Sequence, residues 1–485
     1  MSLIMYFKQG RKVFSFLGKN KFHWMLLTTI FLFISLPLFS QSQEKIINIR
    51  VDTEVVINEN FYGFGAETLP WLCTKENKAV GVTEEDIKLN LERIRSMHLP
   101  FTRIFVPWET WNPSIDYKTF TWESDEMKSL YRMLDLYQGM GTEVIVVTVD
   151  WLKNPPWRNV KASAYAVTQL LKYLVKDRGY SCIRYWTLTN EPELTYEWEQ
   201  SKKIPFKNYV NIHRLVKKKL KKKRLPIKII ASDEVACLRW FKKSVRLLYN
   251  TADVFSSHIY PYPYQIPSVS DFFMERRDII KKTSLSPRYI PFFLGEFGFR
   301  GSQFGACVNS LIDDYEYGLY AADLCIKALK SGVDAASLWC LHQVRLIDEI
   351  NPEGGQMMRI GLWAFKDEDW QPFPIFYLYQ LFTRYIKSGS KVLKTEVIPA
   401  GILEAACTQY RNGYSLFILN NTDKEQSFLI SPQDLSPEFK KYLYSPSELS
   451  LVNGNSLKLE IIKIKDCLKD KIPPKSVALY TNLKE

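Results

Sequence analysis

No glycine-rich phosphate loop of either nucleotide-binding type follows the first apolar runs, which removes the usual reason for an open, doubly wound sheet. No G-x-S-x-G turn occurs either, so a serine hydrolase built on a nucleophile elbow has no support. The eight cysteines (Cys73, Cys182, Cys237, Cys307, Cys325, Cys340, Cys407 and Cys467) are widely spaced and never form CxxC, so neither a zinc site nor a disulfide framework is signalled. Several lie in apolar stretches, where a thiol behaves as a small hydrophobe. The chain also lacks any acidic residue before Glu44.

What stands in that acid-free segment is ordered. Lys8, Arg11, Lys12, Lys19 and Lys21 precede a mostly apolar run over 24–39, and Ser40-Gln41-Ser42-Gln43 follows. Basic, apolar and small polar segments in that order predict a signal peptide over 1–40 and an exported protein: periplasmic, cell-surface or extracellular. The apolar run is shorter than the roughly 20 residues of a membrane-spanning helix, so no stable membrane insertion is expected unless the signal stays uncleaved as an anchor. No cysteine follows the run to carry a lipid.

The formal net charge is +13. Part of the surplus is the run Lys217-Lys218-Lys219-Leu220-Lys221-Lys222-Lys223. A solvated helix end is preferred to a nucleic-acid patch, because cations suit a helix C-terminus. No nucleic-acid partner is expected, and the oligomeric state is left open.

With 485 residues, 46% hydrophobic and 24% charged, the chain suits one large domain and one small one. Apolar or β-branched runs recur at 61–67, 101–106, 143–149, 184–190, 227–233, 254–260, 291–297 and 335–341. Helical patterns at 83–97, 125–139, 162–178 and 315–331 alternate with them. Eight such βα units predict an α/β chain folded as a (β/α)8 barrel of the TIM type over 61–387, closing with a helix after Pro372-Phe373-Pro374. Beyond 388 the pattern turns to short strands, including 415–419 and 458–464. Turn signals stand at Arg411-Asn412-Gly413 and Asn453-Gly454-Asn455. This predicts an accessory C-terminal β-sandwich over 388–485. Segment 41–60, with Ile47, Ile49 and Val51 alternating, is expected to add a strand to it.

Barrel active sites lie at the C-terminal ends of the strands. The fourth predicted strand ends in Asn190-Glu191-Pro192 and the seventh in Gly295-Glu296-Phe297-Gly298. Two rim carboxyls on different strands can converge across a sugar, one protonating the leaving oxygen and one attacking the anomeric carbon. A surface salt bridge is the plain alternative for either glutamate alone.

The two motifs together resemble clan A of the glycoside hydrolases, the retaining (β/α)8 enzymes, and the resemblance spans 61 to about 386. It implies that Glu191 is the general acid/base, Glu296 the nucleophile, and Asn190 a partner of the sugar hydroxyl beside the anomeric carbon. Arg103 is similar to the clan arginine that keeps the nucleophile ionised. His258-Ile259-Tyr260 resembles a motif whose tyrosine hydrogen-bonds the nucleophile, and Trp339 matches the tryptophan flooring the cleavage subsite. The carboxyl separation it implies is about 5–5.5 Å. Val149-Asp150-Trp151 departs from members with a histidine there. Gly63-Phe64-Gly65-Ala66-Glu67 is closer to members whose sandwich uses both termini, such as families 30, 39 and 51, and the chain as a whole resembles families 5, 30, 39 and 51.

Each supporting residue has a plainer alternative: Arg103 as neutraliser of barrel carboxylates, His258 as a core histidine, Trp339 as packing. Glu67, Asp150 and Asp233 also end strands and are candidates for binding sugar hydroxyls. Trp71, Trp108, Trp111, Trp151, Trp157 and Trp198 fall in predicted loops on the catalytic face, where flat rings suit a pyranose, so Trp108 and Trp151 are counted with Glu67 as substrate-binding. No metal or cofactor is expected. The function expected is that of an exported retaining hydrolase of O-glycosidic, β-type bonds in a polysaccharide or oligosaccharide. A catalytically inactive, carbohydrate-binding barrel is the alternative, and the presence of both glutamates, Asn190 and Arg103 counts against it.

Overall fold

The computed structural model describes residues 46–149, 156–194, 204–283, 288–302, 308–348, 351–357, 359–431, 438–452, 456–463 and 467–484. The predicted signal, Asp150, Trp151, Trp198, Cys307 and the 453–455 turn lie outside them. No helix among the described residues is long and apolar enough to cross a membrane.

A long first strand, β1 (Ile47–Phe61), precedes the barrel. The barrel strands are β2 (Gly63–Thr68), β3 (Phe101–Phe105), β4 (Glu143–Val147), β5 (Ile183–Thr187), β6 (Lys228–Val235), β7 (Val254–Ile259), β8 (Phe292–Phe297) and β9 (Ala335–Leu338). They close in sequence order with parallel pairing throughout. Seven of the eight are buried along their whole length or at all but one residue, as strands covered by helices on one face and a filled interior on the other must be. The break between β1 and β2 falls at Tyr62, and β2 opens on Gly63, two residues later than the first predicted run began. The Gly63 φ of +123° and a neighbouring Pro100 ring that any Cβ would strike require glycine there.

The helices follow the sequence patterns closely: Glu84–Ser96, Asp125–Met140, Val160–Lys172 and Tyr315–Lys330. The first is held by a full capping box between Thr83 and Asp86. Lys217–Lys223 form the last turns of helix Phe206–Lys223, where cations oppose the negative end of the dipole. Helix Pro374–Tyr385, opened by its proline, closes the barrel. A hairpin of β10 (Arg345–Asp348) and β11 (Asn351–Met357), absent from the sequence reading, follows β9.

The remaining strands are β12 (Ser390–Ile398), β13 (Glu404–Tyr410), β14 (Gly413–Asn420), β15 (Gln426–Ser431), β16 (Glu438–Tyr444), β17 (Leu459–Lys463), β18 (Leu468–Ile472) and β19 (Ser476–Thr481). With β1 they form a single sheet of nine strands, ordered β17-β16-β19-β14-β13-β12-β1-β15-β18. The two-layered β domain is thus one sheet curled on itself. Phe428 of β15 meets Tyr480 of β19 edge-on at 6.0 Å, and Asp470 of β18 accepts bonds from Lys441 and Tyr480, both at 2.7 Å. β1 lies in the middle of this sheet, antiparallel to β12 and parallel to β15. Phe382 of the closing helix stacks on Phe417 of β14 at 3.9 Å, and the Tyr385 and Tyr442 hydroxyls meet at 2.5 Å, so sheet and barrel share one core.

All seven described cysteines are free, and five of them are buried.

Candidate active site

Inside the barrel, side chains from alternate strand positions stack in layers. The layer nearest the strand N-termini is apolar: Phe101, Ile145, Tyr185, Ile230, Val254, Phe293 and Ala335, with Tyr62 against them. Towards the C-terminal ends the same strands carry Glu67, Arg103, Asp233, His258 and Glu296, all buried.

Local irregularities aim these groups inward. The pairing of β6 with β7 slips between Ser232 and Glu234, and that of β7 with β8 between Ser257 and His258. Such bulges redirect side chains at barrel rims. Ser232, Asp233 and Glu191 all have left-handed backbones, with φ of 77°, 51° and 43°. Strain of that kind persists only where surrounding contacts over-determine it, and here the Glu191 amide donates to the Asp233 carbonyl at 3.0 Å. Gly295 leaves room for the cluster: a Cβ there would collide with Ser256 and stand 3.0 Å from His258 Nε2 and 3.1 Å from Asp233 Oδ1.

Arg103 is the hub. One guanidinium nitrogen donates to Glu67 Oε2 at 2.8 Å and to Glu296 Oε1. The other donates to Asn190 Oδ1 at 2.8 Å and Asp233 Oδ2 at 2.7 Å. Tyr260 donates its hydroxyl to Glu296 Oε2 at 2.5 Å. His258 places Nδ1 3.1 Å from Glu191 Oε1 and 3.5 Å from Glu296 Oε2, and Nε2 3.1 Å from Asp233 Oδ1. One carboxyl oxygen of Glu191 and one of Glu296 lie within 4.8 Å of each other. Glu296 is 3% exposed and Glu191 13%, so the second faces the mouth more openly.

Two cations therefore face four carboxyls in a dry space, and burial sets the terms. Burial pushes Asp233 upward, but Arg103 and His258 outweigh it and hold the carboxyl well below the usual range. Burial alone would discharge His258, yet Glu296 and Asp233 raise it well above its ordinary value, giving an imidazolium. Burial pushes Glu67 up to about 8 despite the adjacent Arg103 guanidinium. Glu296 is also raised by burial, with His258, Arg103 and the Tyr260 hydroxyl pulling it back.

Glu191, His258 and Glu296 offer three donor atoms close enough together for a small cation. Both His258 nitrogens already face carboxylates, and Arg103 and Tyr260 hold Glu296, so charge is compensated by the chain's own groups.

The structure brings Asn190, Glu191, Arg103, His258, Tyr260, Glu67 and Glu296 together. Trp339, half-buried beyond β9, packs on Phe105 at 5.4 Å. Trp108 corrects the sequence reading: it is fully buried, 4.6 Å from Trp111 and 5.2 Å from Trp157 between ring centroids, and shows no face to a substrate. Trp71, Trp111 and Trp157 are buried as well, so these four tryptophans pack the loops.

Sequence reasoning missed two groups behind the rim, Glu193 and Glu234, and gave a third another role. Asp233, considered only as a hydroxyl binder, joins Arg103 to His258. Glu193 accepts from the Val235 amide at 2.6 Å, and burial pushes its carboxyl up to about 8. Glu234 pairs with Arg276 at 3.1 Å and accepts from Ser257, bracing the residue before His258. The Asp233-Glu234 pair was a legible signal, since two consecutive acids closing a strand fit burial on both sides of a bulge.

No protein-family model matches the sequence, and no curated protein matches it. Solved structures do. The catalytic domain of a glycoside hydrolase family 30 xylanase from Talaromyces cellulolyticus is 12% identical, with TM-score 0.67 over 90% of this chain and 100% of that one. A family 51 α-L-arabinofuranosidase from Thermotoga petrophila is 15% identical, with TM-score 0.64 over 90% and 100%. A conserved exported protein from Bacteroides fragilis is 10% identical, with TM-score 0.61 over 89% and 99%. The chain thus shares the fold of these family 30 and 51 glycoside hydrolase structures, and in this chain it is a (β/α)8 barrel with an accessory β domain.

Proposed function

We propose that the protein is an exported retaining glycoside hydrolase that cleaves O-glycosidic, β-type bonds of a polysaccharide or oligosaccharide by double displacement. The observation that carries this reading is the approach of the Glu191 and Glu296 carboxyl oxygens to within 4.8 Å. An inverting enzyme needs about 6.5–9.5 Å between its carboxyls to admit water, whereas a retaining one needs about 5–5.5 Å.

Glu296, held by Arg103 and Tyr260, attacks the anomeric carbon as the bond to the leaving oxygen breaks, and Glu191 gives that oxygen its proton. Glu191, now a base, takes a proton from water, whose oxygen attacks the same carbon and frees Glu296. Asn190, bonded to Arg103 on the same rim, is placed for the neighbouring sugar hydroxyl. Export rests on the basic, apolar and polar order of residues 8–43.

The test is a panel of aryl glycosides and polysaccharides with purified protein. Glu296→Ala should abolish turnover, and azide should restore Glu191→Ala on an activated aryl glycoside with retained configuration. Full activity in either variant would sink the assignment.

A further inference from the structure

The aromatic faces expected to stack on sugar are not offered by Trp71, Trp108, Trp111 or Trp157. They are offered by two tyrosines that the sequence reading passed over, in Tyr260-Pro261-Tyr262-Pro263-Tyr264. We infer that Tyr262 and Tyr264 form a stacking platform on the rim of the cleft for a pyranose ring of the glycan, outside the sugar whose bond is broken. The inference rests on the proposed hydrolase activity and extends it to the substrate: a chain of several sugars.

Position comes first. Tyr260 bonds Glu296, and consecutive Cα atoms are about 3.8 Å apart, so Tyr262 Cα lies within about 7.6 Å of Tyr260 Cα and Tyr264 Cα within about 15 Å. Exposure comes second. Tyr262 is 39% exposed and Tyr264 77%, the highest value for a large hydrophobic side chain among the described residues. Their rings are nearly parallel, 10° apart in plane and 5.6 Å between centroids.

Rigidity comes third, and it separates this pair from an incidental exposed aromatic. Pro261, Pro263 and Pro267 restrict the backbone. Gln265 Oε1 accepts from the Tyr262 amide at 2.9 Å, the Gln265 amide donates to the Tyr262 carbonyl at 2.8 Å, and the Arg300 amide donates to the Pro261 carbonyl at 3.0 Å. The Arg300 guanidinium lies 5.9 Å from the Tyr262 ring centroid. Much of the ordering cost of binding is therefore met before a ligand arrives. Tyr289, another exposed tyrosine, has its hydroxyl tied to Asp334 instead.

The chemistry selects a sugar. Phenol rings present a flat apolar face with a polar tip, matching the apolar face and hydroxyl edge of a pyranose. Two rings are far smaller than the roughly 800 Å² per partner of a stable protein interface.

The test compares wild type with Tyr264→Ala and with Tyr262→Ala/Tyr264→Ala. Kinetics use an aryl monoglycoside and the soluble polysaccharides xylan and barley β-glucan. The double variant should lower the ratio of polysaccharide to aryl-glycoside kcat/KM by about tenfold, and Tyr264→Trp should restore it. An unchanged ratio overturns the platform while leaving the hydrolase reading intact. If wild type turns over no glycoside, the hydrolase reading fails, and the platform is judged by retardation in gels containing the same polysaccharides. Retardation lost in the double variant supports it; no retardation of wild type, or equal retardation of both, overturns it.

Discussion

At the N-terminal end of the barrel, Phe101, Tyr185 and Phe293 meet Tyr62 and fill the interior with rings 5.4–6.2 Å apart. Two residues further along β3 the same inward column carries Arg103, and three further along β8 it carries Glu296. One end is an organic core and the other a buried salt cluster, on the same eight strands. Apolar packing returns free energy for its burial, whereas ion pairs taken out of water often fail to repay their desolvation. The charged end is therefore the costly one to bury, and the apolar end is what makes it tolerable.

Substitutions at the two ends should separate these roles. Arg103→Met is expected to have the largest effect, because it leaves Asp233 and Glu296 buried without their guanidinium: a stability loss of about 3–5 kcal/mol, read by denaturant unfolding, together with loss of aryl-glycoside turnover. Phe293→Ala at the apolar end should cost a similar 3–5 kcal/mol, by about the usual aromatic truncation, yet leave kcat/KM of the folded enzyme near wild type. Equal loss of activity in both would erase the distinction between the ends.

Gly295→Ala probes the junction between them. The added methyl must displace Ser256, His258 or Asp233, so a smaller stability loss of about 1–3 kcal/mol is expected, with turnover falling further than stability does. Wild-type kinetics in an unaltered fold would show that the cluster has slack.

Two pH effects are smaller. In the proposed mechanism Glu296 attacks as the carboxylate, and its carboxyl is raised above the ordinary value of 4.5, so the acid limb of kcat/KM should lie above that pH. Tyr260→Phe removes a donor to the carboxylate and should move the limb higher still. Glu193 is raised from 4.5 to about 8, so the folded state holds its proton more tightly than the unfolded state. Its contribution to stability is full below about 4.5 and is lost as pH rises to about 8. Glu193→Gln should therefore melt a few degrees above wild type at pH 8 and show no such gain at pH 4.5. Parallel melting curves across that range would contradict the assignment.

The strands were legible because a parallel barrel demands unbroken apolar runs, and the rim was legible because Asn-Glu-Pro and Gly-Glu-Phe interrupt them. Neither signal says which way a loop side chain points. Trp108 and Tyr264 look alike in composition, but one is fully buried against two other tryptophans and the other stands out on a proline-braced turn. Asp233 was legible as a strand-end acid but not in its role: its partners, Arg103 and His258, are 130 and 25 residues away, and only barrel closure brings them together. The curl that makes one sheet into two layers likewise depends on long-range pairing of β1 with β12 and β15.

The most direct test of the central claim is covalent trapping. A 2-deoxy-2-fluoro glycoside with an activated leaving group, matched to the sugar found in the substrate panel, should inactivate the enzyme one to one, and peptide mass analysis should place the fluorosugar on Glu296, with catalysed hydrolysis of the parent glycoside retaining configuration. A label on Glu191 or Glu67, or an inverted product, would contradict the account.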